Sequence, residues 1–220
     1  MRKLSMRPVS GLYAITPPNL EPAEMLARVE SALTGGARLI QLRAKNWPRG
    51  QVEDAAQTLR AMTRRHDALL IINDDAALAR AVHADGVHFG RSDATWDTVQ
   101  AIAKEKMLVG ISCYNDLNRA QMAQAAGASY VAFGSMFPSK TKPDAAQATL
   151  DLLRSARAAL TVPIVAIGGI VPENAARVVE AGADAVAVIS GLFDAPDVEA
   201  AAQSYVRACH FNTAISESTA

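Results

Sequence analysis

Residues 69–75 read Leu-Leu-Ile-Ile-Asn-Asp-Asp. A short apolar run that stops on three polar residues describes a buried strand whose end is free to carry chemistry. The same arrangement recurs on both sides of it, at Leu12 to Ile15, Leu39 to Leu42, Gly86 to Phe89, Leu108 to Ile111, Tyr130 to Phe133, Pro163 to Ile167 and Ala185 to Ile189. The intervening segments return their apolar residues at helical spacing: Leu26, Val29 and Leu33 share one face, as do Val52, Ala56, Leu59 and Met62, and later Val198, Ala202 and Tyr205. Pro22 and Pro172 fall where a first helical turn would start, and Gly35, Gly127 and Gly182 where helices should stop. Strands alternating with helices build a parallel sheet, and the runs recur about every 25 residues. Eight such units predict an α/β fold of the (β/α)8 TIM-barrel type rather than an open doubly wound sheet, because closure leaves no strand edge unpaired.

Composition is consistent with one domain. The chain has 220 residues, 50% of them hydrophobic, enough to bury a large core. We expect a single barrel domain over residues 1–211 and a polar, frayed tail over 212–220. The 22 basic side chains balance the 22 acidic ones, so no overall field favours nucleic acid or an anionic membrane, and any phosphate binding must be local. The two cysteines, Cys113 and Cys209, lack metal-type spacing and suit a reducing compartment. The basic start, Met1 to Arg7, leads into Pro8 with no cleavage site, and no run of 18 apolar residues occurs, so a cytoplasmic protein is expected. Oligomeric state is not legible: no heptad seam or broad apolar face singles itself out.

In a barrel of this kind chemistry gathers at the C-terminal ends of the strands. The second run ends in Gln41, Leu42, Arg43, Ala44 and Lys45, and strand alternation would send Gln41, Arg43 and Lys45 to one side. Either cation alone reads as a strand end reaching solvent; three aligned polar positions favour a site. After the third run, capping of the next helix would explain one of the two acids, Asp74 and Asp75, but not Asn73 as well. Asp93, in the loop after the fourth run, should lie near Asp74, and two carboxylates beside Arg43 and Lys45 suit a Mg²⁺ shared with substrate phosphates. Ser112 either donates to a phosphate or turns the chain. Phe137 to Pro143 forms a loop of hydroxyls and ammonium groups between prolines, which suits a lid over an anion or a plain basic loop. Gly168 and Gly169 after the seventh run, and Ser190 and Gly191 after the eighth, stand where barrels often hold a phosphate. His66, His83 and His88 are read as structural, and Cys113 has no companion histidine to make a thiolate.

Seven ordered segments, QLRAK (41–45), INDD (72–75), GVHFGRSD (86–93), GISCY (110–114), FPSKTK (137–142), AIGGI (166–170) and VIS (188–190), together resemble the thiamine phosphate synthase family. The resemblance implies condensation of an aminopyrimidine methyl diphosphate with a thiazole phosphate, releasing pyrophosphate with help from Mg²⁺. It implies that the QLRAK segment with Asn73, Ser112 and Lys142 holds the pyrimidine diphosphate, Arg43, Lys45 and Lys142 stabilising the departing charge, and that Asp74 and Asp93 hold the metal. It further implies that Ser139, Lys140, Thr141, Gly169, Ile189 and Ser190 line the thiazole phosphate site. Two departures stand out: Ser139 replaces a frequent Thr, and Thr16-Pro17 occurs where the first strand commonly ends in Asp. A thiazole tautomerase-like paralogue and a noncatalytic thiamine phosphate sensor are the rival readings; the intact QLRAK and FPSKTK segments favour the synthase.

Overall fold

The computed structural model describes residues 9–138 and 147–210. The chain start, residues 139–146 and the tail expected over 212–220 lie outside the described residues. Eight strands, β1 (Gly11–Ile15), β2 (Leu39–Leu42), β3 (Leu69–Asn73), β4 (Gly86–Phe89), β5 (Leu108–Tyr114), β6 (Tyr130–Phe133), β7 (Ile164–Ile167) and β8 (Ala185–Val188), pair in sequence order, all parallel, and β8 closes on β1. The expected (β/α)8 barrel is therefore the observed fold. Helices α1 (Pro22–Thr34), α2 (Arg49–Arg65), α3 (Ala76–Ala81), α4 (Trp96–Lys104), α5 (Leu117–Ala125), α6 (Leu150–Ala159) and α7 (Pro172–Glu180) follow the first seven strands. A four-residue helix α8 (Ser190–Phe193) and then α9 (Val198–His210) follow the last.

Strand alternation divides the apolar residues between two cores. Side chains pointing outward, such as Ile40, Leu70, Val87, Val109, Val131 and Val186, pack under the helices. Those pointing inward, including Tyr13, Ile15, Leu39, Leu69, Ile71, Leu108, Tyr130 and Val165, fill the barrel. Pairing registers Ile15 with Gln41 and Asn73 with His88, so polar residues follow apolar ones on the same inward rows. Glycine makes room where the interior is most crowded. A Cβ on Gly110 would overlap the ring of Tyr130 and lie 2.6 Å from Nδ1 of His88.

One strand end differs from the sequence expectation by more than a single residue. β5 continues past Ile111 to Tyr114, with a register shift against β6 between Ser112 and Tyr114, because Cys113 still has an outer core to pack into and is fully buried there. β2 ends at Leu42, where its apolar run was expected to end, so the alternation expected to send Arg43 and Lys45 to the side of Gln41 does not reach them. Instead, Arg43 is fixed by its backbone, whose N–H donates to Thr16 Oγ1 at 2.8 Å. The hydroxyl of Thr16, one residue past β1, thus ties the ends of the first two strands together. Among the described residues no helix is long and apolar enough to cross a membrane.

Candidate active site at the C-terminal mouth of the barrel

The ends of β2 and β3 meet through charge. Lys45 Nζ lies 2.9 Å from Asp74 Oδ2, with the lysine side chain about half exposed and the aspartate mostly covered. Asn73 Nδ2 donates to the same oxygen at 2.6 Å. Asp74 adopts φ +63°, a left-handed conformation that costs a non-glycine residue, and a hydrogen bond from its N–H to the His88 carbonyl at 2.9 Å holds it there. The neighbouring acid has the other role foreseen for this pair. Asp75 caps α3, accepting from the Leu78 N–H at 2.8 Å.

Asp93 sits in the loop between β4 and α4, where its Oδ2 accepts from the Gly90 N–H at 2.9 Å. Among the described residues, the hydrogen-bond and ion-pair partners of Asp74 and Asp93 all fall on Oδ2. No cluster of three or more His, Cys, Asp or Glu suited to a metal occurs among those residues. The donor set nonetheless fits magnesium, which favours hard oxygen ligands and usually binds through one or two carboxylates, with water and phosphate completing the shell. Such an ion would depend on the substrate's oxygens as much as on the protein's.

Gln41, which is buried, and Ser112, which is partly exposed, both join a hydrogen-bonded chain that crosses the barrel interior. Gln41 Nε2 donates to Tyr13 Oη at 2.8 Å, Tyr13 Oη lies 2.9 Å from Tyr130 Oη, and His88 Nδ1 lies 3.1 Å from Tyr130 Oη. His88 Nε2 is 2.9 Å from Ser112 Oγ. Burial removes His88 from water and pushes its pKa down to about 4, against a smaller opposing pull from Asp74, so the imidazole is neutral near pH 7. Burial likewise raises both tyrosines and keeps them protonated. The sequence reading of His88 as a structural residue agrees with this, but it missed the bond to Ser112, and it passed over Tyr13 and Tyr130.

Arg119, in the first turn of α5, is another residue the sequence reading passed over. Its Nε donates to the Ser112 carbonyl at 2.9 Å and one terminal nitrogen to the Gly90 carbonyl at 3.2 Å. One guanidinium therefore joins the end of β5 to the loop that carries Asp93. Cys113, by contrast, points away from the barrel interior, and burial drives its thiol up to about 12, which excludes a thiolate nucleophile at neutral pH.

On the opposite side of the mouth, β7 ends in the glycine pair. The Phe137 N–H donates to the Gly168 carbonyl and the Ala148 N–H to the Ser135 carbonyl, at 3.0 and 2.9 Å. Residues on either side of 139–146 are thereby tied down, Phe137 to the residue after β7 and Ala148 to Ser135 just after β6. Gly169 has φ +65°, and a Cβ there would lie 2.6 Å from the Pro138 carbonyl oxygen, so only glycine permits this approach. Asn174 Nδ2 donates to the Gly169 carbonyl at 3.1 Å. Ile189 packs on the interior cluster, and Ser190 opens α8. Leu42 is buried at the end of β2, with Ala44 and Arg43 partly covered beyond it. Ser139, Lys140, Thr141 and Lys142 lie outside the described residues.

The family model described as thiamine monophosphate synthase matches residues 12–192. A thiamine-phosphate synthase of Nitrosococcus oceani is 52% identical over 198 residues, covering 90% of this chain and 91% of that protein. One from Thioalkalivibrio sulfidiphilus is 50% identical over 194 residues, covering 88% and 92%. Among solved structures, a thiamine phosphate pyrophosphorylase from Pyrococcus furiosus superposes with a TM-score of 0.82 at 38% identity, covering 90% of this chain and 95% of its own.

Proposed function

Because the chain belongs to the thiamine monophosphate synthase family, we propose that it is an enzyme joining an aminopyrimidine methyl diphosphate to a thiazole phosphate. The thiazole nitrogen forms a bond to the pyrimidine methylene, the methylene–oxygen bond to the diphosphate breaks, and thiamine phosphate and pyrophosphate leave. The observation that carries this reading is the Lys45–Asp74 pair at the mouth, a cation and a metal-type carboxylate offered together at the ends of adjacent strands. A diphosphate with a divalent ion needs both signs of charge at one place.

The protein's part is chiefly to position two substrates and to hold the charge that builds on the leaving group. Arg43, Lys45 and Lys142 supply positive charge to the diphosphate, with Gln41, Leu42, Ala44, Asn73 and Ser112 around the same substrate. Gly169, Ile189 and Ser190, with Ser139, Lys140 and Thr141, hold the thiazole phosphate, so that its ring nitrogen is aimed across the mouth. Asp74 and Asp93 would hold Mg²⁺, which when bound offsets negative charge on the departing pyrophosphate. No protein nucleophile is required, in keeping with the buried, protonated state of Cys113. A cytoplasmic setting is supported by the free thiols Cys113 and Cys209, and the absence of nucleic-acid or membrane partners by the balanced charge.

Purified protein mixed with both substrates and Mg²⁺ tests the reading. Pyrophosphate release that requires both substrates supports it. Binding without turnover points to a sensor, and isomerisation of the thiazole without use of the diphosphate points to a tautomerase.

A further inference from the structure

The orientation of the Gln41 amide gives the chain from Gln41 to Ser112 a direction. The Gln41 amide nitrogen can only donate, so Tyr13 Oη accepts from it at 2.8 Å. Among the described residues the remaining hydrogen-bond partner of Tyr13 Oη is Tyr130 Oη, so the single Tyr13 proton is given there. Tyr130, having accepted, gives its own proton to His88 Nδ1. A neutral imidazole carries one N–H, and with Nδ1 accepting, that proton sits on Nε2 and is donated to Ser112 Oγ. Among the described residues Ser112 then has its hydroxyl acceptor satisfied from below, with no other partner for its own proton.

We propose that Tyr13, Tyr130 and His88 are positioning residues that act through Ser112: their ordered hydrogen bonds leave its hydroxyl as an obligate donor toward an anion at the barrel mouth. This rests on the reading of Ser112 as a residue that binds the substrate's diphosphate. The opposite order is equally continuous on paper. With the Gln41 amide turned over, Tyr13 donates to Gln41, Tyr130 donates to Tyr13, and His88 donates from Nδ1. Ser112 must then give its proton to Nε2, and a lone pair would face the anion. One order builds an anion site and the other opposes it, and the tautomer of His88 reports which is present.

Gly110 is part of this arrangement. It lies on β5 two residues before Ser112, and the space a Cβ would take there is filled by the Tyr130 ring and His88 Nδ1. The two rings stack with centroids 5.6 Å apart and planes 28° apart, while Tyr13 meets Tyr130 edge-on at 6.1 Å. Packing thus fixes the rings, and the hydrogen bonds fix the protons.

The test combines two measurements. Nitrogen-15 NMR of histidine-labelled wild-type protein, with His88 assigned by loss of its signals in His88→Gln, is expected to show the Nε2–H tautomer in the free protein. Titration calorimetry with pyrophosphate in the presence of Mg²⁺ then follows wild type, Ser112→Ala, Tyr130→Phe and the double variant. Ser112→Ala should weaken binding about tenfold, the ordinary worth of one hydrogen bond to an anion. Tyr130→Phe should weaken it several-fold in the wild-type background and leave it unchanged in the Ser112→Ala background.

An Nδ1–H tautomer in a protein that binds pyrophosphate overturns the chain's direction while leaving the functional reading intact. Additive losses in the double variant overturn the claim that Tyr130 acts through Ser112. Failure of wild type to bind magnesium pyrophosphate, with the Nε2–H tautomer present, defeats the diphosphate reading and with it the purpose assigned to the chain.

Discussion

Because His88 is neutral and buried, the fold must lose stability on acidification by an amount the structure sets. Burial lowers its folded pKa from 6.5 to about 4. The unfolded chain takes up this proton first as pH falls, so the contribution is complete above about pH 6.5, declines below it, and is gone by about pH 4. At 1.36 kcal/mol for each pKa unit, the full range is roughly 3 kcal/mol, of which roughly 2 to 2.5 fall between about pH 7 and about pH 4.5. His88→Gln keeps a neutral side chain with a donor and an acceptor but removes the titration. Urea unfolding of both proteins at the two pH values, with a chelator present to keep divalent ions from stabilising the folded state, gives four free energies. The variant is less stable at neutral pH, since an amide cannot reproduce both ring contacts. The informative quantity is the difference between the two pH-dependent losses, in which groups common to both proteins cancel, the His66–Glu30 pair included. Wild type should lose roughly 2 kcal/mol more than His88→Gln. Equal losses would refute the reasoning, because they would mean that His88 is hydrated in the folded protein or protonated throughout.

Three further outcomes are expected. Asp74→Asn removes a carboxylate from the proposed magnesium site and from Lys45 together, and should raise the Mg²⁺ needed for half-maximal rate by about tenfold or more, a change of about 1.4 kcal/mol; a flat metal dependence would remove Asp74 from that role. Lys142→Ala, at a position given by family resemblance, should lower turnover by roughly 10²-fold, the scale of a lost donor to developing charge, as read from steady-state kinetics at saturating substrates. Gly110→Ala forces a methyl group into space held by Tyr130 and His88 and should destabilise the protein by about 1 to 3 kcal/mol in denaturant unfolding, with the loss of stability accompanied by weaker pyrophosphate binding.

The barrel was legible because its signal is periodic. Short apolar runs ending in polar residues, repeated eight times, leave little freedom in how the chain is wound; six of the eight runs start at the residue where the strand starts, and the other two, at Leu12 and Pro163, start one residue from Gly11 and Ile164. Charged residues at the strand ends were legible for the same reason, since position in the repeat places them at the mouth. What the repeat does not carry is the partner of each side chain. Arg43 and Lys45 were assigned to one side by alternation, yet β2 stops at Leu42, and Lys45 is oriented by its ion pair with Asp74. Tyr13 and Tyr130 stand 117 positions apart, and a tyrosine within an apolar strand has the pattern of any core aromatic. Arg119 lies on a helix turn where an arginine ordinarily faces water; only the fold brings it to the carbonyls of Ser112 and Gly90.

The interior tyrosines and histidine raise the question of why a barrel should hold polar groups at its centre. Stability does not require them. A satisfied buried hydrogen bond adds only about 1 kcal/mol net, and apolar side chains of similar volume commonly pack as well or better. Four linked bonds among Gln41, Tyr13, Tyr130, His88 and Ser112 therefore contribute little that leucine and phenylalanine could not. What apolar packing cannot supply is a preferred direction for protons, because it has none to order. An anion arriving at the mouth meets cations on flexible side chains such as the half-exposed Lys45, which attract it without fixing where it sits. A hydroxyl held from below by a closed set of strands costs no reorganisation when the anion arrives. On the proposed reading the rim supplies charge, the interior supplies a fixed reference point, and the precision of the site comes from the part of the barrel that looks most like core.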